Sequence, residues 1–163
     1  MDIILWRHAE AEDIASSDLA RRLTPRGVKQ AARMAVWLET QLGNLAQRSA
    51  NWRVIASPAV RAQQTAAALG MPVETVATLA PDAPVDAVLR AALWPTNSKN
   101  VIVVGHQPTL GMVAGRLING VDGYVPVKKG AVWWFRQREP NREREGETAV
   151  VLVAMVTPDN IGD

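Results

Sequence analysis

Val101-Ile102-Val103-Val104 is an unbroken β-branched run, too short for a helix and lacking a polar face. Such a run is stable as a strand buried on both sides, which requires a sheet with helices packed on each face. Gly105-His106-Gln107-Pro108 breaks it, and Thr109–Asn119 reads as the helix that follows. The same strand–loop–helix pattern occurs twice earlier. Ile3–Trp6 stops abruptly at Arg7-His8, giving a strand over residues 2–7, and Ala9–Arg22 then forms a polar loop without apolar period. Thr24-Pro25 starts a helix over 25–42, because Thr can cap free amides and Pro fits the first helical position. Val28, Ala31, Ala35, Leu38 and Leu42 mark its apolar stripe and Gly43 its stop. Arg53–Ala56 is the second strand, and Ser57-Pro58 repeats the cap-then-proline signature before a helix over Ala59–Leu69 closed by Gly70.

Pro72–Val76 and Pro84–Leu93 supply a further strand and helix, the latter ended by Trp94-Pro95. Ala131–Arg136 and Ala149–Val156 flank a polar loop from Gln137 to Thr148 and read as a hairpin or edge pair. The expectation is an α/β single-domain three-layer sandwich over residues 1–163, its central sheet mostly parallel and flanked by helices. Composition narrows the function. The chain has 0 Cys, which excludes thiolate metal sites, iron–sulfur clusters and cysteine nucleophiles, and it has 2 His. A net charge of +2 is too small to attract nucleic acid or a membrane without local clustering. No apolar run approaches a membrane span, and no basic segment precedes the first apolar stretch, so a cytoplasmic protein is expected.

In open α/β sheets, ligands bind beyond the carboxyl ends of the parallel strands. Those ends are Arg7-His8, then Ser57 with Arg61 one turn on, then Gly105-His106, so both histidines of the chain lie there. Two guanidinium groups, two imidazoles and nearby helix N-termini suit a tetrahedral phosphoryl group. Candidate nucleophiles are His8, His106, Ser57 and the carboxylates. A neutral imidazole is the one that attacks phosphorus near pH 7 without a base to activate it, which selects a histidine.

Arg7-His8-Ala9-Glu10, Leu23-Thr24-Pro25-Arg26-Gly27, Ser57-Pro58-Ala59-Val60-Arg61-Ala62-Gln63-Gln64-Thr65 and Gly105-His106 resemble, in that order, the histidine phosphatase superfamily. The short length and the Arg-His-Ala-Glu-Ala-Glu start most resemble its SixA-type phosphohistidine phosphatases. The resemblance implies a phosphoglycerate mutase-like fold. It implies that His8 accepts the phosphoryl group, while Arg7, Arg61 and His106 bind it and stabilise the transition state, with no metal and no cofactor. The partner it implies is a phosphohistidine-containing protein. The chain departs from the family in having Ala9 where Gly usually follows Arg-His, which restricts the backbone there. It also lacks room for the inserted segment in which larger relatives carry a general acid. That favours a phosphohistidine substrate, whose imidazole leaves easily once protonated, over an alcohol. Glu10, Glu12, Asp13 and Asp18 follow His8, and the sequence does not choose among them as a proton donor.

Other features have plainer readings. Ser57 reads as a helix cap, and Thr65 either supports the pocket or faces solvent. Trp6, Trp37, Trp52, Trp94, Trp133 and Trp134 sit in or beside apolar runs and read as core or rim. Lys128, Lys129, Arg136, Arg138, Arg142 and Arg144, interrupted by Glu139, Glu143 and Glu145, read as a solvated hairpin or a docking surface for an acidic partner. The Glu10, Glu12 and Asp13 cluster is a poor metal site without a histidine to spare. The competing functions are a phosphatase for a small-molecule phosphate ester, a catalytically silent phosphate-binding adaptor, and a nucleic-acid-binding module, which the charge balance disfavours.

Overall fold

The computed structural model describes residues 1–139 and 149–161. Strand β1 is Asp2–Arg7, followed by helix α1 (Pro25–Leu42), helix α2 (Leu45–Asn51), β2 (Trp52–Ala56), α3 (Val60–Ala67) and β3 (Val73–Thr75). The chain continues through α4 (Val85–Ala92), β4 (Asn100–Gly105), α5 (Thr109–Asn119), β5 (Val132–Gln137) and β6 (Val150–Val156). The strands form one sheet in the order β3-β2-β4-β1-β5-β6. Its pairs are parallel from β3 to β1 and antiparallel at β1–β5 and β5–β6. The expected hairpin pair is therefore present at one edge, while residues 140–148 of its loop, with Arg142, Glu143, Arg144 and Glu145, lie outside the described residues.

Alternation along the strands creates the three layers. Ile4, Trp6, Val54, Ala56, Ile102 and Val104 share one face with Met34, Ala35 and Leu38 of α1 and Ala62 and Ala66 of α3. Ile3, Leu5, Ile55, Val101 and Val103 share the other with Val85 and Val88 of α4 and Leu110, Val113 and Leu117 of α5. Each fully buried aliphatic side chain contributes about 1.5–3 kcal/mol. Trp6, Trp52 and Trp134 are buried and Trp37, Trp94 and Trp133 half-buried, which matches core and rim.

Helix α1 starts as its sequence dictates, with the Thr24 hydroxyl accepting the Gly27 amide at 3.0 Å and Pro25 in the first turn. Its buried stripe keeps Ala31, Ala35 and Leu38 of the expected one, adds Gly27 and Met34, leaves Leu42 half-buried and turns Val28 outward. Gly27, Ala31, Met34, Ala35 and Leu38 are buried, whereas Val28 is 54% exposed. The shift has a steric cause: the start of α1 lies against the loop after β1, where the small Gly27 rather than Val28 can face the Glu10 backbone. Helix α2 was not expected. It is opened by a capping box in which Asn44 and Gln47 satisfy each other's backbone amides at 3.0 and 2.9 Å.

Candidate functional site

Register brings the predicted residues together. Trp6 pairs with Val104, and Val104 with Ala56, so β1, β4 and β2 end level. The His8 amide donates to the Gly105 carbonyl at 3.0 Å and the Ser57 amide to the Val104 carbonyl at 3.1 Å, which prolongs the ladder to the first residue of each loop. On the other side of β1, the Gly130 amide donates to the His8 carbonyl at 3.0 Å, and the Trp6 indole donates to the Gly130 carbonyl at 3.1 Å. His8 is thus held by β4 on one side and by the turn before β5 on the other.

The result is a cleft of about 160 Å³ lined by Arg7, His8, Ala11, Arg21, Arg61, Pro81, His106, Gln107 and Lys129. All four predicted site residues, His8, Arg7, Arg61 and His106, line it. Arg21 and Lys129 were missed. They come from long loops that carry no periodic signal, and only the fold places them at the mouth. The His8 and His106 rings are 5.2 Å apart, tilted by 53°.

Each side chain is held in a definite pose. His8 Nδ1 lies 2.7 Å from the Ala9 carbonyl, an acceptor only, so Nδ1 carries the proton and Nε2 the free lone pair. One Arg7 guanidinium nitrogen donates to the Val127 carbonyl at 2.7 Å. Arg61 is gripped by Asp18, its two terminal nitrogens donating to the Asp18 carbonyl at 2.7 Å and to the carboxylate at 3.1 Å. Arg7 Nε, Arg61 Nε and His106 Nδ1 are buried with no protein partner. Three residues lining this cleft thus each carry an orphaned buried nitrogen, which is costly unless an acceptor joins it.

Burial pushes His8 down to about 3; the Ala9 hydrogen bond opposes this, and the charges of His106, Arg61 and Arg7 reinforce it. Burial also pushes His106 down to about 4, helped by Arg61 and, more weakly, Arg7 and Arg21, against a contribution from Asp18. Both imidazoles are therefore neutral at pH 7. Burial lowers Arg7 from its ordinary value as well.

Of the four acidic candidates, Asp18 alone among the described contacts touches a predicted site residue. Burial tends to raise its carboxyl, but the Arg61 hydrogen bond and the charges of Arg61 and Arg21 hold it below the usual range. It is an ionised anchor for Arg61 rather than a ready acid. Glu10 accepts the Thr24 hydroxyl at 2.8 Å, while Glu12 and Asp13 are exposed. Among the described residues, no group of three or more His, Cys, Asp or Glu is placed to hold a metal ion. No helix among them is long and apolar enough to cross a membrane.

Ala9 does not strain the loop. Non-glycine residues with positive φ are Asp82 and Leu93 among those described, and the Ala9 amide donates to the Thr65 hydroxyl at 3.0 Å. Thr65 is fully buried and donates in turn to the Arg61 carbonyl at 2.8 Å, so it supports the pocket and does not face solvent. Ser57 does not cap α3. The helix begins at Val60 after Ala59, and the Ser57 hydroxyl lies 2.7 Å from His106 Nε2. The basic segment divides: Arg136 is taken up by two 2.8 Å hydrogen bonds to Asp2, while Lys128 and Lys129 are exposed.

The comparisons agree with this geometry. A model of the histidine phosphatase superfamily (branch 1) matches residues 3–82. Phosphohistidine phosphatase SixA of Escherichia coli (strain K12) is 30% identical over 128 residues, covering 74% of this chain and 76% of that protein. The phosphohistidine phosphatase SixA homolog of Haemophilus influenzae is 48% identical over 65 residues, 40% of this chain and 39% of that protein. That match therefore spans about two-fifths of the relative's length. A solved structure of the protein histidine phosphatase SixA complexed with tungstate superposes with a TM-score of 0.77 at 25% identity, covering 98% of this chain and 99% of the other. Motif order, strand-end geometry and these relatives lead to one conclusion: the chain belongs to the histidine phosphatase superfamily, among its SixA-type phosphatases.

Proposed function

We propose that the protein hydrolyses phosphohistidine on a protein substrate, passing the phosphoryl group through His8 and using no metal. The observation that carries this reading is the pose of His8. Its Nδ1 proton is committed to the Ala9 carbonyl, which leaves a neutral Nε2 in a cleft whose charged lining groups are all cations, Arg7, Arg21, Arg61 and Lys129. In the first step Nε2 attacks phosphorus and forms a P–N bond. The P–N bond to the substrate imidazole breaks, and that ring leaves neutral because its other nitrogen has taken a proton from solvent. Water then attacks the phosphoryl on His8, releasing inorganic phosphate and restoring the imidazole. Arg7, Arg61 and His106 meet the charge on the equatorial oxygens, where positioning and electrostatics supply most of the catalysis.

Two further observations support it. Tungstate, which the SixA relative binds, is a tetrahedral oxoanion of the shape this cleft is charged to receive. Arg61 holds the Asp18 carboxyl ionised, which favours a leaving group that needs little acid help, as an imidazole does and an alkoxide does not. Steady-state rates on a phosphohistidine protein, phosphoserine and a sugar phosphate, each with and without chelator, test the proposal. It expects phosphohistidine to be strongly preferred and the chelator to have no effect. Faster ester hydrolysis, or loss of turnover with chelator, would overturn it.

A further inference from the structure

Ser57 has no place in the mechanism above, yet it is fully buried against one of its members. Its backbone is pinned on both sides, the amide donating to the Val104 carbonyl at 3.1 Å and the carbonyl accepting the Gln63 amide nitrogen at 2.7 Å. Its hydroxyl oxygen accepts the Ala59 amide at 3.2 Å and stands 2.7 Å from His106 Nε2. The hydroxyl proton then needs an acceptor, and the Nε2 lone pair is the one at hand.

We propose that Ser57 is a positioning residue: its O–H donates to His106 Nε2 and holds the neutral ring as the Nδ1–H tautomer, presenting that N–H as a donor to the phosphoryl group. The opposite arrangement, with Nε2–H donating to the hydroxyl, leaves a buried O–H with no acceptor. It also turns the bare Nδ1 lone pair toward an anionic substrate. Burial of an unsatisfied hydroxyl alone is a substantial penalty, and the repulsion adds to it. His106 Nδ1 is buried with no protein partner, as a donor reserved for a ligand would be. Depression of His106 to about 4 keeps the ring neutral, so that a tautomer exists to be chosen.

The two imidazoles are thus set by opposite devices. At His8 a carbonyl takes the Nδ1 proton and exposes a lone pair; at His106 a hydroxyl fills the Nε2 lone pair and exposes a proton. One ring is prepared to attack and the other to donate, although both carry the proton on the same atom.

The consequence for turnover rests on the phosphatase reading, whereas the tautomer itself does not. Nitrogen-15 NMR of histidine-labelled protein reads it directly. In the wild type, His106 should show a pyrrole-like Nδ1 and a pyridine-like Nε2. In Ser57→Ala the ring should move toward the Nε2–H form, with kcat on phosphohistidine falling about tenfold, short of the 10²-fold or more lost when a transition-state donor is deleted outright. Ser57→Thr, which keeps the hydroxyl, should restore both readings. A wild-type His106 protonated on Nε2, or a Ser57→Ala protein with unchanged ring nitrogens, would overturn the proposal. If Ser57→Ala fails to fold, the wild-type spectrum still decides. A wild type with the expected ring nitrogens but no phosphohistidine turnover would leave this proposal standing and remove the functional one.

Discussion

Gly27→Ala couples the sequence motif to the site through one steric contact. A Cβ on Gly27 would stand 1.9 Å from the Glu10 carbonyl oxygen, so the two must separate by about 1.1 Å to reach even the 3.0 Å floor of real Cβ contacts. The obstacle is backbone and cannot rotate away. It is also tied down, because the Glu10 carbonyl accepts the Thr24 amide at 3.0 Å and the Glu10 amide donates to Gln30 at 2.9 Å. Overpacking of this kind costs about 1–3 kcal/mol, and part of a hydrogen bond is lost with it. Against this, alanine gains up to about 1 kcal/mol in helix propensity, less in a first turn. The net expectation is a destabilisation of about 1–3 kcal/mol. Glu10 lies two residues beyond His8, whose own amide and carbonyl are anchored to Gly105 and Gly130. The displacement should reach the ring only in part, and kcat should fall roughly tenfold rather than the 10²-fold that a full 1 Å misplacement can bring. Urea denaturation, read as a lower midpoint at unchanged slope, checks the first figure and steady-state turnover the second. Gly123→Ala, with open space at the added Cβ, is the control. A Gly27→Ala protein as stable and as active as the control would show that the Gly27–Glu10 contact constrains neither the fold nor the cleft.

Three other outcomes are expected. Thr65→Val leaves the Ala9 amide without its acceptor in a fully buried place, and denaturation should show a loss of about 1–3 kcal/mol; no loss would mean the Thr65 link is idle. Arg7→Ala and Arg61→Ala should each lower kcat by about 10²–10³-fold, and Arg61→Lys should rescue little, since a point charge cannot reproduce the guanidinium fork. Stability should fall with acidification. His8 and His106 have folded values of about 3 and 4 against an ordinary 6.5, so the unfolded chain binds more protons once the pH drops below 6.5. Each histidine then subtracts up to about 1.4 kcal/mol per pH unit until its folded value is reached. Unfolding free energies at pH 7 and pH 5, in the wild type and in His106→Asn, measure this slope, which the variant should reduce; an equal slope in both would contradict it.

Much of the fold was legible because the strands are short and buried on both faces, so each ends sharply at a polar residue. The bounds of β1, α1 and α5 could be read directly from Asp2–Arg7, Pro25–Leu42 and Thr109–Asn119. Helix α2 was not, although Asn44 and Gln47 carry its capping box in plain view; with seven residues it has too little length for an apolar period. The stripe of α1 was misplaced at Val28 because a sequence does not show that Glu10 will press on Gly27. The order of strands, with β1 between a parallel and an antiparallel neighbour, is a tertiary choice that no local signal records. The candidate site was legible where it hangs on strand ends, as with His8, Arg61 and His106, which line one cleft. Arg21 and Lys129 reach the cleft from loops, and Ser57 looked like a cap because serine before proline usually is one.

The proposed route through the Nε2 nitrogen of His8 requires a phosphoimidazole on the protein during turnover. Brief incubation with a radiolabelled phosphohistidine donor, followed by quenching and acid or base treatment, measures it most directly. Label is expected on the wild-type protein, lost in acid and kept in base as on a phosphoimidazole, with none on His8→Ala. Label retained by His8→Ala, or a base-labile and acid-stable adduct on the wild type, would contradict it.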